Sequence, residues 1–155
     1  MAERSLQQRY APEGRCFGCG PANELGLRIQ SFEGDDGTVV ATWQARPEHE
    51  AFDGYVNGGI VGTLIDCHSN WTGVAALLAR NGGDTAPSSV TADLSVRFRR
   101  PTPSDRPLRL VGRAVEVDND RVTVETSVEV DGVTTATGKA TFVVVKPGHP
   151  AFGRW

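Results

Sequence analysis

The chain has 155 residues, enough for one domain with a real core and too few for two. Its net charge of -3, from 16 Lys and Arg against 19 Asp and Glu, gives no electrostatic reason to expect nucleic acid or an anionic membrane as partner. No apolar run approaches the roughly 20 residues that span a bilayer, and the opening MAERSLQQRYAPEGR lacks the apolar stretch of a secretory signal. Three cysteines, an odd number, suit a reducing compartment better than a disulfide framework, so a cytoplasmic location is expected.

Residues 1–24 are polar and rich in Gly and Pro and read as an irregular lead-in to a domain spanning 25–146, with 147–155 as a tail. LGLRIQSF (25–32) and TVVATWQA (38–45) have β-forming composition, and the intervening EGDDG carries the Asp-Gly pair of a hairpin. From 58 to 80 the apolar period is helical, ending at RNGGD, where Asn81 and Gly82 supply left-handed residues that stop a helix. Four strand candidates follow, at 88–99, 107–118, 121–131 and 133–146, with turn residues at 118–120 and 131–132.

Each of these strands alternates. Simple alternation puts Val90, Ala92, Leu94, Val96 and Phe98 on one face and Thr91, Asp93, Ser95 and Arg97 on the other. Val122, Val124, Val128 and Val130 line one face of the next strand but one. In the last strand Ala136, Gly138 and Ala140 form a row small enough for a helix to lie close. The order predicts an α+β fold with one long helix against an antiparallel sheet of five to six strands.

On a helical wheel, Ile60, Leu64, Cys67, Trp71, Ala75 and Leu78 make an apolar stripe, widened by Val61, Ile65, His68 and Thr72. The remaining arc holds Gly59, Gly62, Thr63, Asp66, Ser69, Asn70 and Gly73, with no Lys, Arg or Glu. Small residues permit close approach of another backbone or a ligand, so this arc is expected to face a partner chain with Asp66 in the seam. Asp66 lies about two turns into the helix, beyond the first-turn amides that a capping carboxylate serves. Plain exposure is the other bland reading. A partly buried carboxylate without a basic partner in its segment is how a general base or nucleophile is often made.

The run NGGIVGTLID, followed some two dozen residues later by VTADLSVRFRRPTP, resembles the hotdog-fold acyl-CoA thioesterases of the phenylacetate-associated and small mammalian type. CFGCGPANELGLRI is also similar to the start of many such proteins, and the resemblance spans residues 25–145. It implies a curved antiparallel sheet wrapped round one helix, homodimers and often homotetramers, and active sites at the dimer seam. Carried over by residue, Gly58 presents its amide to the thioester carbonyl. Asp66 is nucleophile or water-activating base, and Thr91 hydrogen-bonds at the reacting centre. Gly59, Arg97, Arg99 and Arg100 would bind substrate, the arginines gripping phosphates of coenzyme A. Exposed strand arginines are otherwise commonly just solvated.

Each role has a physical basis. Free amides at a helix N-terminus stabilise charge developing on a carbonyl oxygen. Gly58 and Asp66 are eight residues apart, about 12 Å along one helix, so they can address one carbonyl only across two antiparallel chains related by a two-fold axis. Where the resembled family has histidine, this chain has Asn57, which hydrogen-bonds but cannot titrate, a departure that counts against dehydration. His49, earlier in the same loop, could substitute as the base of a dehydratase, though a lone loop histidine is more often merely solvated, and His68 reads as packed core.

Cys16 and Cys19, in CxxC spacing, could supply half of a zinc site or a redox pair, but a second pair is missing. A tight turn packing two small side chains is the preferred reading, with neither metal nor organic cofactor expected. The expected function is acyl-CoA hydrolysis with Asn57, Gly58, Asp66 and Thr91 at the site. The alternatives are a non-catalytic acyl-CoA binding module and a hotdog dehydratase.

Overall fold

The computed structural model describes residues 2–154. Its centre is α2 (Gly58–Asn81), which begins where the Asn57 side chain accepts from the amides of Gly59 and Ile60. It ends at Gly82, with φ 75° and its N–H on the Leu78 carbonyl. The left-handed residues that stop it are Gly82 and Gly83; Asn81, expected to share that role, completes the last helical turn instead.

Around α2 lie β1 (Phe32–Glu33), β2 (Thr38–Trp43), β5 (Ser89–Phe98), β6 (Leu108–Val117), β7 (Arg121–Val130) and β8 (Val133–Val144), with a small hairpin of β3 (Glu50–Phe52) and β4 (Tyr55–Val56) before the helix. The six form one sheet in the order β1-β2-β6-β7-β8-β5, every pair antiparallel. Asp131 and Gly132, both at positive φ, close the β7–β8 turn as the Asp-Gly signal predicts. Among the described residues no helix is long and apolar enough to cross a membrane.

Small residues on the sheet set how close the helix lies. A Cβ on Gly138 would come within 2.4 Å of Ile65, and one on Gly112 within 2.3 Å of the Thr72 hydroxyl. Leu64, Ile65, Trp71, Val128 and Ala136 are buried at that interface, where each large side chain contributes about 1.5–3 kcal/mol.

Two expectations for the first third of the chain change. The strand read at 25–32 reduces to β1, because its main chain is engaged elsewhere: the amides of Leu27 and Ile29 donate to Phe17 and Gly18, and the Ser31 carbonyl accepts from Leu6. Leu27 and Ile29 still enter the core. Nor is the lead-in wholly irregular. It contains α1 (Leu6–Tyr10), opened by a capping box in which Ser5 and Gln8 serve each other's amides.

A buried polar chain joins this segment to the helix. Gln7 donates to the Ser31 hydroxyl at 3.0 Å, Ser31 Oγ lies 2.8 Å from His68 Nδ1, and His68 Nε2 lies 2.9 Å from the Val39 carbonyl. Burial pushes the His68 imidazole down to about 4, so it is neutral, donating from Nε2 to Val39 and accepting at Nδ1 from Ser31. His68→Leu keeps the volume but strands the Ser31 hydroxyl and the Val39 carbonyl. The expected cost is about 2–4 kcal/mol of unfolding free energy, read from urea denaturation midpoints at constant m-value; an unchanged midpoint would show that the chain contributes nothing net.

Candidate active site

Asp66 sits half-buried on the exposed flank of α2, and its Oδ1 accepts from the Thr91 hydroxyl at 2.8 Å. Burial raises the carboxyl above its ordinary value, while the Thr91 hydrogen bond pulls it partly back and nearby Cys16 adds a smaller upward push. Simple alternation along β5 places Thr91 on the face opposite Leu94 and Val96, away from the helix. The structure corrects this. Between Thr91 and Asp93 the β5–β8 register shifts, so that Thr91 pairs with Phe142 while Leu94, Val96 and Phe98 pair with Ala140, Gly138 and Ala136. Phe142, Ala140 and Ala136 are buried and Gly138 abuts Ile65, so all four partners share the helix side. Ala92 is the extra residue of a bulge, and the bulge turns Thr91 to Asp66.

Eight residues earlier, the helix start is arranged around Asn57. Its Oδ1 takes the amides of Gly59 at 2.8 Å and Ile60 at 3.2 Å. The Gly58 amide is left without an acceptor among the described residues, and Gly58 lines a cavity of about 350 Å³ together with Phe52, Tyr55, Phe98 and Arg100. Gly59 is therefore committed to the cap through its amide, and Gly58 holds the free donor. His49, read as a solvated loop residue, is buried instead: Nδ1 accepts from the Arg46 amide at 2.9 Å, and the ring lies 5.1 Å from that of Trp43.

The three arginines part company. Arg97 pairs with Thr137 on the outer face of the sheet, away from the helix, whereas Arg100 lies beside Gly58. Arg99 borders both sides and reaches Thr137 Oγ1 at 3.3 Å. No single grip of three is formed.

The arc of small helix residues also divides. Ser69 bonds to Thr126 at 2.7 Å, Asn70 accepts from Ser89 at 2.7 Å, and Gly73 presses on Val122, so these three pack within the chain. The face open to a partner is confined to Gly58, Gly59, Gly62, Thr63 and Asp66.

Asp66 borders a separate cavity of about 200 Å³, lined also by Thr91, Asn70, Ser89 and all three cysteines. The CxxC pair is therefore not alone: Cys67, one residue past Asp66, comes from the helix to meet it, with Cys16 Sγ 3.7 Å from Cys67 Sγ. The bulge at Ala92 and this third thiol escaped the sequence reading. A single extra residue leaves a strand's composition unchanged, and Cys67 lies 48 residues beyond Cys19.

One long helix held against a six-stranded antiparallel sheet is the hotdog architecture, and here the helix carries a carboxylate in its third turn and a free amide at its start. A thioesterase superfamily profile matches residues 53–137, more than half of the chain and a span that includes Asn57, Gly58, Asp66 and Thr91, and the chain belongs to that family of thioester hydrolases.

Among solved structures, a thioesterase superfamily protein from Shewanella loihica PV-4 shares 29% identity over 81% of this chain and 98% of its own, with a TM-score of 0.64. A phenylacetic acid degradation-related protein from Ralstonia eutropha JMP134 shares 24% over 82% and 92%, with a TM-score of 0.66. A Streptococcus mutans UA159 protein bound to acetyl CoA shares 19% over 76% and 88%, with a TM-score of 0.63. The last two show the fold alone. No curated protein matches the chain.

Proposed function

We propose that the chain is a cytoplasmic acyl-CoA thioesterase whose sites are shared across a homodimer. Gly58 of one chain binds the thioester carbonyl oxygen, and Asp66 of the other is the general base. The observation that carries this is the placement of the two half-sites at opposite ends of β5. Asp66 meets Thr91 near the strand's start, and Gly58 lies 3.5 Å, measured from a Cβ built on it, from the Phe98 ring at its end. β5 is an edge strand of ten residues with its outer hydrogen-bonding groups open. On its helix side Leu94 is 38% and Phe98 55% exposed, apolar surface that a chain normally covers. An antiparallel pairing of two such edges about a two-fold axis carries the Asp66 end of one chain to the Gly58 end of the other.

In the reaction Asp66 takes a proton from water, the water oxygen bonds to the carbonyl carbon, and the Gly58 amide receives the negative charge on oxygen. The carbon–sulfur bond then breaks, and the thiolate of coenzyme A leaves and recovers the proton. Arg99 and Arg100, beside Gly58, are placed for phosphate groups. The acetyl CoA bound to the Streptococcus mutans protein of the same fold supports coenzyme A as the carrier. Asn57, engaged as a cap, and His49, packed on Trp43, count against dehydration at the helix start. Dimers of this kind would pair further into tetramers, as the family resemblance implies.

The test is hydrolysis of short, medium, long and aryl acyl-CoAs, followed by release of free thiol. Turnover of at least one class is expected, whereas binding without turnover would leave an acyl-CoA binding module. The shared site also requires association. Wild type is expected to sediment as a dimer or larger at micromolar concentration, and Phe98→Asp to shift it toward monomer with parallel loss of activity; a fully active monomer would end the proposal.

A further inference from the structure

We infer that Cys16, Cys19 and Cys67 form a binding site for one divalent cation of the zinc type, held by three sulfurs with its fourth position toward the cavity beside Asp66. The three Sγ atoms all lie within 4.8 Å of one another, and those of Cys16 and Cys67 are 3.7 Å apart. Two thiolates on one tetrahedral zinc, with bonds of about 2.3 Å, stand about 3.8 Å apart. The sulfurs are thus already close to the spacing that a shared ion requires.

The chain around them is built for this convergence. In CFGCG the Gly20 amide closes a turn on the Cys16 carbonyl at 2.8 Å. A Cβ on Gly20 would fall 2.5 Å from both the Cys16 nitrogen and the Gly14 carbonyl oxygen, so the turn needs glycine. A Cβ on Gly18 would fall 2.3 Å from Cys67 Sγ, and its absence lets the turn press on the helix where the third thiol emerges.

A donor also aims at sulfur: Trp71 Nε1 donates to Cys19 Sγ at 3.4 Å, the kind of outer contact that orients a ligating sulfur. Packing of small side chains would not call for it. No Lys or Arg lines the cavity, so a cation is the charge partner that three thiolates there would need. The Asp66 carboxylate lines the same cavity but lies outside the close group, which leaves water as the fourth ligand. Bound there, the ion would tie the lead-in to α2. The inference rests on the thiols alone and stands apart from the thioesterase reading.

The experiment is anaerobic titration of the reduced, metal-stripped full chain with cobalt(II), then with zinc. Uptake of about one ion per chain is expected, with thiolate-to-cobalt absorption, release of protons and loss of the colour when zinc displaces cobalt. Cys16→Ser and Cys67→Ser should each weaken binding at least about tenfold, whereas Asp66→Asn should keep it. The wild-type spectrum decides even if a cysteine variant fails to fold. Absence of thiolate-to-cobalt absorption, undiminished binding in Cys67→Ser, or loss of binding in Asp66→Asn would each overturn the assignment. So would a Cys16–Cys67 disulfide whose reduction restores no uptake.

Discussion

Asp66→Asn is expected to lower kcat for acyl-CoA hydrolysis by about 10²–10⁴-fold, the usual contribution of a positioned general base, while leaving the fold intact. Asparagine has the volume of aspartate and can still accept from the Thr91 hydroxyl, which lies 2.8 Å from the carboxylate. It therefore keeps the contact between α2 and β5. What it loses is the capacity to take a proton from water. KM should change far less than kcat, because the carboxylate acts on the attacking water and not on coenzyme A. Thr91→Val separates positioning from proton transfer: it leaves the carboxylate but frees its orientation, and a loss of roughly tenfold is expected, well short of the Asp66→Asn effect. Steady-state kinetics on the best acyl-CoA, with thermal melts of each variant, provide the measurement. An Asp66→Asn enzyme within a few-fold of wild type would remove Asp66 from the chemistry.

Much of this arrangement is legible in the sequence, and the rest fails for identifiable reasons. The helix, its start at Asn57-Gly58 and strands β5 to β8 follow from period and turn chemistry, and the closeness of helix and sheet follows from Ala136, Gly138 and Ala140. Alternation failed at β5 because a bulge adds a residue without changing composition, and that residue decides which way Thr91 points. β5 reads as a half-buried strand, yet Leu94 and Phe98 stay exposed in the single chain because the strand lies at the sheet's edge, a matter of topology and not of local pattern. The small-residue arc was overread for a similar reason. A wheel cannot tell Asn70, held by Ser89 of the same chain, from Asp66, which faces outward. Sequence distance hid the third thiol, since only the fold brings Cys67 to Cys16 and Cys19.

The geometry of the helix start allows the shared site to be tested by removing one atom's function. Proline is tolerated at the first helical position, where the amide has no intrahelical acceptor. Asn57, at φ -58° and ψ 135°, already has the extended backbone that a following proline demands. A Cβ at position 58 meets only the Phe98 ring, at the ordinary contact distance of 3.5 Å. Gly58→Pro thus deletes the free N–H while keeping the cap on Gly59 and Ile60, and kcat should fall about 10²–10³-fold, as for loss of one oxyanion donor. Mixing inactive Gly58→Pro with inactive Asp66→Asn then reports the chain origin of each half-site. After subunit exchange about half of the dimers are mixed, and each holds one intact site built from Gly58 of one chain and Asp66 of the other, so about a quarter of wild-type activity should return. If both groups served a site within a single chain, every site in the mixture would carry one of the two lesions and no activity would return.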